Sequence, residues 1–258
     1  EKVALWRRFY TGFYDEKGNF IQKPLEQAAT EVGIAKKTLD DYLLQIRCGK
    51  KYGFNFNENA DKKIGELRGL VIGQWFSDCC DEGPNVLCDK LLANAAKLTS
   101  LKGLFVGDVV QEESEISWLH QCDYGPMLSA LPQLADVVIR GGNNLRFSKF
   151  HSATIQSILI QSGGLGKAVL KDLWKAELPS LRVLRLWLGV DDYGGDTTVK
   201  DLAPILSGKL FPQLEYLGLQ DCQYTDEIAK AVAKSPILER LKGLDLSMGT
   251  LSDEGAQA

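Results

Sequence analysis

Between residues 67 and 246 one apolar spacing recurs seven times. It appears as Leu67-Leu70-Ile72, Leu101-Leu104-Val106, Leu134-Val137-Ile139, Ile155-Ile158-Ile160, Leu181-Leu184-Leu186, Leu214-Leu217-Leu219 and Leu241-Leu244-Leu246. The last two apolar positions of each segment alternate with polar or variable ones, which is the period of a β-strand. Leu184 and Leu186 therefore face a core, while Arg185 and Trp187 face away. One such strand cannot bury its apolar side alone, but a stack of them can. The first positions are 34, 33, 21, 26, 33 and 27 residues apart, averaging 29. Asn85–Leu98, Leu165–Lys175, Val199–Leu206 and Thr225–Ala233 carry apolar residues at three-to-four spacing and are predicted helices. Thr225-Asp226-Glu227 reads as a capped start with acids in its first turn. The 21-residue interval after Leu134 is too short for a full helix, so GGNNLRFSKF is expected as a loop or single turn. Leu131-Pro132, Leu178-Pro179 and Phe211-Pro212 stop what precedes and direct the chain into the next strand. Gly142, Gly163, Gly189 and Gly249 follow four of the strands and are expected to turn the chain there.

The L-x-x-L-x-L spacing is the strand signature of a leucine-rich repeat, and the average interval fits long, helix-containing repeats. The predicted fold class is α/β, with residues 67–258 forming a leucine-rich-repeat solenoid of about seven repeats. Its parallel sheet would line the concave face and its helices the convex face. The stretches GLVIGQW, FVGD, ESEISWLHQ, WLGVDDYGGDTTVKDLAP and LDLSMGTLSDEGA resemble a family of bacterial intracellular leucine-rich-repeat proteins of unassigned function, over roughly residues 69–258. That resemblance implies a solenoid fold and cytoplasmic binding, and it says nothing about a reaction.

Residues 1–66 read differently. Val3, Leu5, Trp6, Phe9, Tyr10 and Phe13 have helical spacing over residues 1–14, and DEKGN (15–19) is a turn. Pro24 opens a second helix, Gly33 ends it, and KKTLDDYLLQIR forms a third. Ala29, Gly33, Ile34, Leu39 and Tyr42 fall where a helix-turn-helix places its small residue, its tight turn and its apolar contacts. The resemblance covers about 25 residues and implies DNA reading by the second helix of the motif. By position, Lys36, Lys37, Thr38, Asp40, Asp41 and Gln45 would face DNA, with Arg47, Lys50 and Lys51 on phosphates. Asp40 and Asp41 put negative charge on that face. A three-helix head that caps the solenoid or contacts protein is the competing reading, because solenoids need polar ends. Tyr52, Phe54 and Phe56 alternate in GKKYGFNFNENADKK, either to stack on bases or to pin a loop onto the head.

Charge divides the chain in the same way. Residues 1–68 hold 13 of the 30 Lys+Arg and 10 of the 34 Asp+Glu, leaving 17 and 24 for the rest. A net +3 head precedes a net −7 body, and an acidic body argues against nucleic acid on the repeats. Any nucleic-acid contact would fall within residues 24–51. No run of about 18 apolar residues predicts a membrane span. The six cysteines (Cys48, Cys79, Cys80, Cys88, Cys122 and Cys222) form no C-x-x-C pair or cap framework, so free thiols in a reducing compartment are expected. The expected location is cytoplasmic, or nuclear in a eukaryote. The chain starts at Glu1 and stops in DEGAQA, which resembles a helix start, so a fragment or processed form is expected at both ends.

The outward strand positions form two columns. One reads Val71, Phe105, Val138, Leu159, Arg185, Gly218, Asp245; the next reads Gly73, Gly107, Arg140, Gln161, Trp187, Gln220, Ser247. With strands about 4.8 Å apart, Arg140, Arg185, Trp187 and Tyr216, together with Phe105, fit one interface. Trp, Tyr and Arg are the residue types that dominate interface energies. The competing reading packs Trp187 beneath residues 189–195 and pairs the arginines with acids.

Catalytic chemistry finds no pattern. His120 and His151 accompany no Ser or Cys motif and sit at no metal-ligand spacing. Gly163-Gly164-Leu165-Gly166-Lys167 lacks phosphate-loop spacing. Asp191, Asp192 and Asp196 could hold a divalent cation, but a solvated loop is the simpler state. The expectation is a non-enzymatic protein-binding module without cofactor or metal. The alternative is a DNA-binding regulator whose repeats sense a partner.

Overall fold

The computed structural model describes residues 64–75, 82–110 and 113–258, together with 13–14, 20–21, 27 and 30. The chain divides into two compact units, Glu1–Ala60 and Asp61–Ala258. In the first, β1 (Phe13–Tyr14) pairs antiparallel with β2 (Phe20–Ile21), matching Phe13 with Ile21 and Tyr14 with Phe20. Phe13 and Tyr14 were expected to close a helix. Aromatic and β-branched residues favour extended pairing at these positions instead. Gln27 and Thr30 are helical and exposed, within the span expected for the second helix. Lys36, Lys37, Thr38, Gln45, Arg47 and Lys50 lie outside the described residues, as do the third helix and residues 49–63.

The second unit is an α/β assembly around one seven-stranded, all-parallel sheet. Its strands are β3 (Gly69–Ile72), β4 (Gly103–Val106), β5 (Asp136–Arg140), β6 (Ser157–Gln161), β7 (Val183–Gly189), β8 (Tyr216–Cys222) and β9 (Gly243–Asp245), adjacent in chain order. The register follows the repeated apolar spacing. Leu70, Leu104, Val137, Ile158, Leu184, Leu217 and Leu244 pair across in one row. A second repetition lies just before each strand. The carbonyl of Arg68 accepts from Lys102 and Gly103, that of Lys102 from Ala135 and Asp136, and that of Ala135 from Gln156 and Ser157. Gln156, Arg182 and Glu215 continue the series to Gly243. Every junction is thus entered through the same pair of bonds.

Helices fill the intervals much as their apolar spacing requires. They are α1 (Asn85–Ala93), α2 (Gly125–Ala130), α3 (Lys167–Leu173), α4 (Ala203–Leu206), α5 (Thr225–Val232) and α6 (Asp253–Ala256). Short 3-10 turns at Ala95–Lys97 and Val199–Leu202 complete the predicted first and third spans. α2 was not anticipated, since Gly125 and Pro126 mask its start. Thr225 is not a cap: its hydroxyl donates to the Cys222 carbonyl at 2.7 Å. The short interval after β5 holds no helix, as expected. Leu145, Phe147 and Phe150 are buried there, with the two phenylalanine rings stacked at 5.6 Å and Tyr124 a further 6.5 Å from Phe147. Bulky rings take the volume that a helix occupies elsewhere.

The core is the continuous layer beneath the sheet, made of the first-position residues, the inward strand residues and the inner helix faces. Inward residues of β4 to β8 are almost fully buried, whereas Leu244 on the edge strand β9 is 39% exposed. Of the glycines expected to turn the chain, Gly189 has a positive φ of 68°. A Cβ there would also lie 1.9 Å from the Gly163 carbonyl oxygen. At Gly249 the requirement is close approach, since a Cβ would meet Thr225 Oγ1 at 2.2 Å.

Candidate functional site

The sheet has a second face, opposite the core, and the two outward columns lie on it in register. Val71, Phe105, Val138, Leu159, Arg185, Gly218 and Asp245 pair strand to strand, as do Arg140 with Gln161 and Trp187 with Gln220. Val71 and Phe105 are buried, so the column closes toward β3. From β5 onward most of these side chains are partly exposed, while Gln220 stays buried.

Two clusters stand on this face. Around β5 the Arg140 guanidinium lies 5.5 Å from the Phe105 ring centre. Its Nε donates to Gln161 Oε1 at 3.1 Å and its Nη1 to the Val109 carbonyl at 2.9 Å. The Arg140 carbonyl accepts in turn from Gln121 Nε2. Arg140 is thus held by an aromatic face, a neighbouring strand and a loop, with its orientation largely set.

Around β7 to β9, Arg185 Nε donates to Gln220 Oε1 at 3.0 Å, and Gln220 Nε2 donates to Ser247 Oγ at 3.0 Å. Arg185 Nη2 approaches Asp245 Oδ2 at 3.8 Å, reaching across a whole strand. Gly218 makes that reach possible: a Cβ there would sit 3.2 Å from both Arg185 Cγ and Gln220 Oε1. The Tyr216 hydroxyl donates to Asp245 Oδ2 at 2.9 Å, and the Ser247 N–H to Oδ1 at 3.0 Å. Gly243 lies beneath the Tyr216 ring, where a Cβ would be 2.5 Å from Cδ2. Burial pushes the Asp245 carboxyl up, but hydrogen bonds from Ser247 and Tyr216 and the charge of Arg185 hold it below the usual range. Burial, then the Asp245 bond, raises the Tyr216 phenol.

Trp187 lies between the two clusters, half-buried. Its Nε1 is buried and finds no hydrogen-bond partner among the described residues. The fold therefore brings Arg185, Trp187 and Tyr216 onto adjacent strands, and places Arg140 with Phe105 two to three strands away. Arg185 does pair with an acid; Arg140 is held instead by an amide, a carbonyl and a ring.

The other sequence candidates take structural roles. Asp196 accepts from the Lys167 backbone N–H and pairs with Lys167 Nζ at 3.1 Å. These contacts, the backbone bond first, hold its carboxyl below the usual range. The start of α3 behind Gly163–Gly166 is thus occupied by a carboxylate. Asp191 accepts from the Asp192 N–H. Among the described residues no group of three His, Cys, Asp or Glu side chains could hold a metal. His151 is exposed, with Nδ1 3.2 Å from the Lys149 carbonyl.

Sequence reasoning missed a set of aspartates that tie neighbouring intervals together. Asp123 accepts from the Gly125 and Ser148 N–H groups and from the Ser148 hydroxyl. Asp172 binds Arg146 and the Phe147 N–H, and Asp226 binds Ser252. Their separations of 25 to 29 residues, Asp196 with Lys167 included, are about one repeat. That coincidence with the repeat interval was the only available signal.

No helix among the described residues is long and apolar enough to cross a membrane. No family model matches the chain, and no curated protein matches it. Among solved structures, the chain is similar to a protein from Bacteroides fragilis determined by a structural-genomics consortium. The two are 32% identical with a TM-score of 0.72, over 93% of this chain and 67% of the other. At that identity and coverage, the chain belongs to the same family as the Bacteroides fragilis protein.

Proposed function

We propose that residues 67–258 form a leucine-rich-repeat solenoid of the bacterial intracellular kind, which binds a protein partner on the open, concave face of its sheet and carries out no reaction. The solenoid reading is supported by seven parallel strands in chain order and by the same entry bonds at every junction. A bacterial protein among the similar structures agrees with it. The observation that carries the binding reading is the grouping of Arg185, Trp187 and Tyr216, all partly exposed, on adjacent strands. Arg140 extends the patch toward β5, with Phe105 buried beneath its guanidinium as support and not as a contact.

The arginines and tyrosine are pre-positioned by their own hydrogen bonds, which lowers the ordering cost on association. A buried Trp, Tyr or Arg anchor contributes on the order of 2 kcal/mol or more to an interface, roughly a 30-fold change in affinity. The test is affinity capture with the intact chain and with the Trp187→Ala/Arg185→Ala variant, followed by titration of each captured protein. The variant should bind at least one partner about 30-fold more weakly or worse. Retention of every partner at unchanged affinity, with the variant still folded by circular dichroism, refutes the assignment.

A further inference from the structure

Cys88 on α1 and Cys122 just before α2 bring their sulfurs to 3.3 Å. Each lies 21 residues after the first leucine of its segment, Leu67 and Leu101, so the two occupy equivalent positions in consecutive repeats. Both are buried. Sulfur is not needed for packing there, because the equivalent position after Leu181 is Leu202, fully buried as well. Two thiols in contact across a repeat junction have a chemistry that two leucines lack.

We propose that Cys88 and Cys122 form a reversible oxidative modification site, closed to a disulfide by hydrogen peroxide, that staples the first repeat to the second. A disulfide needs about 2.05 Å between sulfurs, so the pair must close by roughly 1.2 Å. The Cys122 thiol is held below its ordinary range, first by the hydrogen bond with Cys88 and then by Tyr124, against the effect of burial; Cys88 is pushed up by the same contact. The two sulfurs share one hydrogen bond, so the one that releases its proton, taken as Cys122, is the nucleophile and the other the resolving thiol.

The Cys122 thiolate attacks one peroxide oxygen and the O–O bond breaks. The products are Cys122 sulfenic acid and hydroxide, which takes up the proton that Cys122 released. Cys88 then attacks the Cys122 sulfur; the S–O bond breaks, and the leaving oxygen departs as water with the Cys88 proton. Two thiols and one hydrogen peroxide become one disulfide and two waters. Reductants of the dithiol class reverse the reaction.

The test uses the reduced, folded chain, treated with hydrogen peroxide, alkylated and mapped by non-reducing peptide mass spectrometry. The expected result is one intramolecular link between the peptides holding Cys88 and Cys122. Cys222, buried and pushed up to about 11, remains an alkylatable thiol. Closing this loop should raise the unfolding midpoint by about 5–10 °C, reversibly with dithiothreitol. Cys88→Ala and Cys122→Ala should each abolish both effects. Peroxide-treated protein in which both cysteines still alkylate overturns the proposal. So does a link from either one to another cysteine, or sulfinic acid at Cys122 beside a free Cys88. The wild-type map decides the matter even if a variant fails to fold.

Discussion

Gly243→Ala adds one methyl group to the floor beneath Tyr216. In the native structure that carbon would lie 2.5 Å from Tyr216 Cδ2 and 2.8 Å from Cε2. Non-bonded carbon atoms sit about 3.5–4 Å apart at their optimum, so regaining ordinary contact moves the ring by about 1 Å or rotates it away. Its hydroxyl then leaves Asp245 Oδ2, now 2.9 Å away. A hydrogen bond to a charged group contributes about 1.5–3 kcal/mol. Replacing a strand glycine by alanine returns about 0.5–1 kcal/mol through the unfolded state. The net expectation is a loss of about 1–2 kcal/mol, or roughly 3–6 °C in the unfolding midpoint for a unit of this size. Differential scanning calorimetry measures it, and a double-mutant cycle isolates the cause. In a Tyr216→Ala background the ring is gone, so Gly243→Ala should become neutral or mildly stabilising. A second readout is spectrophotometric: the Tyr216 phenol, raised by burial and by Asp245, should titrate closer to its ordinary range. An equal loss in both backgrounds would refute the steric account, and so would a rise in the midpoint of the single variant.

Asp172→Ala strips Arg146 and the N–H of buried Phe147 of their acceptor; denaturant titration should find a loss of about 2–3 kcal/mol, and a value under 0.5 would remove Asp172 from the inter-repeat ties. The Arg146 hydrogen bond first, then the Phe147 N–H, holds the Asp172 carboxyl low, and the Lys167 N–H does the same for Asp196. Depressed folded-state values mean that this stability is complete above the unfolded carboxylate value near pH 4 and is lost as pH falls through the folded values. Midpoints should therefore be flat between about pH 5 and 7 and fall steeply below 4, and Asp172→Asn should flatten part of that acid limb. Leu186→Ala should cost about 2–5 kcal/mol because its site is fully buried, whereas Leu244→Ala, at the 39% exposed edge, should cost about 1 kcal/mol; equal losses would mean that β9 is covered in solution. Trp187→Phe removes a buried N–H that has no partner among the described residues and should leave the chain as stable or slightly more so, while weakening any complex that uses the indole.

The seven strands, their register and four of the helices could be read from the chain because each is a local pattern. Period-2 apolar alternation selects the buried face, and a one-residue slip would turn Leu184 and Leu186 out and Arg185 in. Once Leu181-Leu184-Leu186 is aligned with its six counterparts, the pairing of Arg185 with Gly218 and of Trp187 with Gln220 follows by counting. The absence of a helix after β5 was equally a matter of length.

What only the tertiary structure decided is which side chains outside the apolar pattern reach one another. Phe147 and Phe150 replace a helix because the short interval leaves a volume that only large rings fill. Arg185 reaches Asp245 because Gly218, unremarkable in sequence, leaves the intervening strand bare. Phe105, assigned to the contact patch by its strand position, is buried against the Arg140 guanidinium. The Asp172–Arg146 tie and the Cys88–Cys122 contact join residues 26 and 34 apart. Hydrophobic periodicity reports which side of an element meets the core, and it carries no information about which polar side chains meet across the seam between repeats. That is settled by reach, volume and the direction of each donor once the strands are stacked.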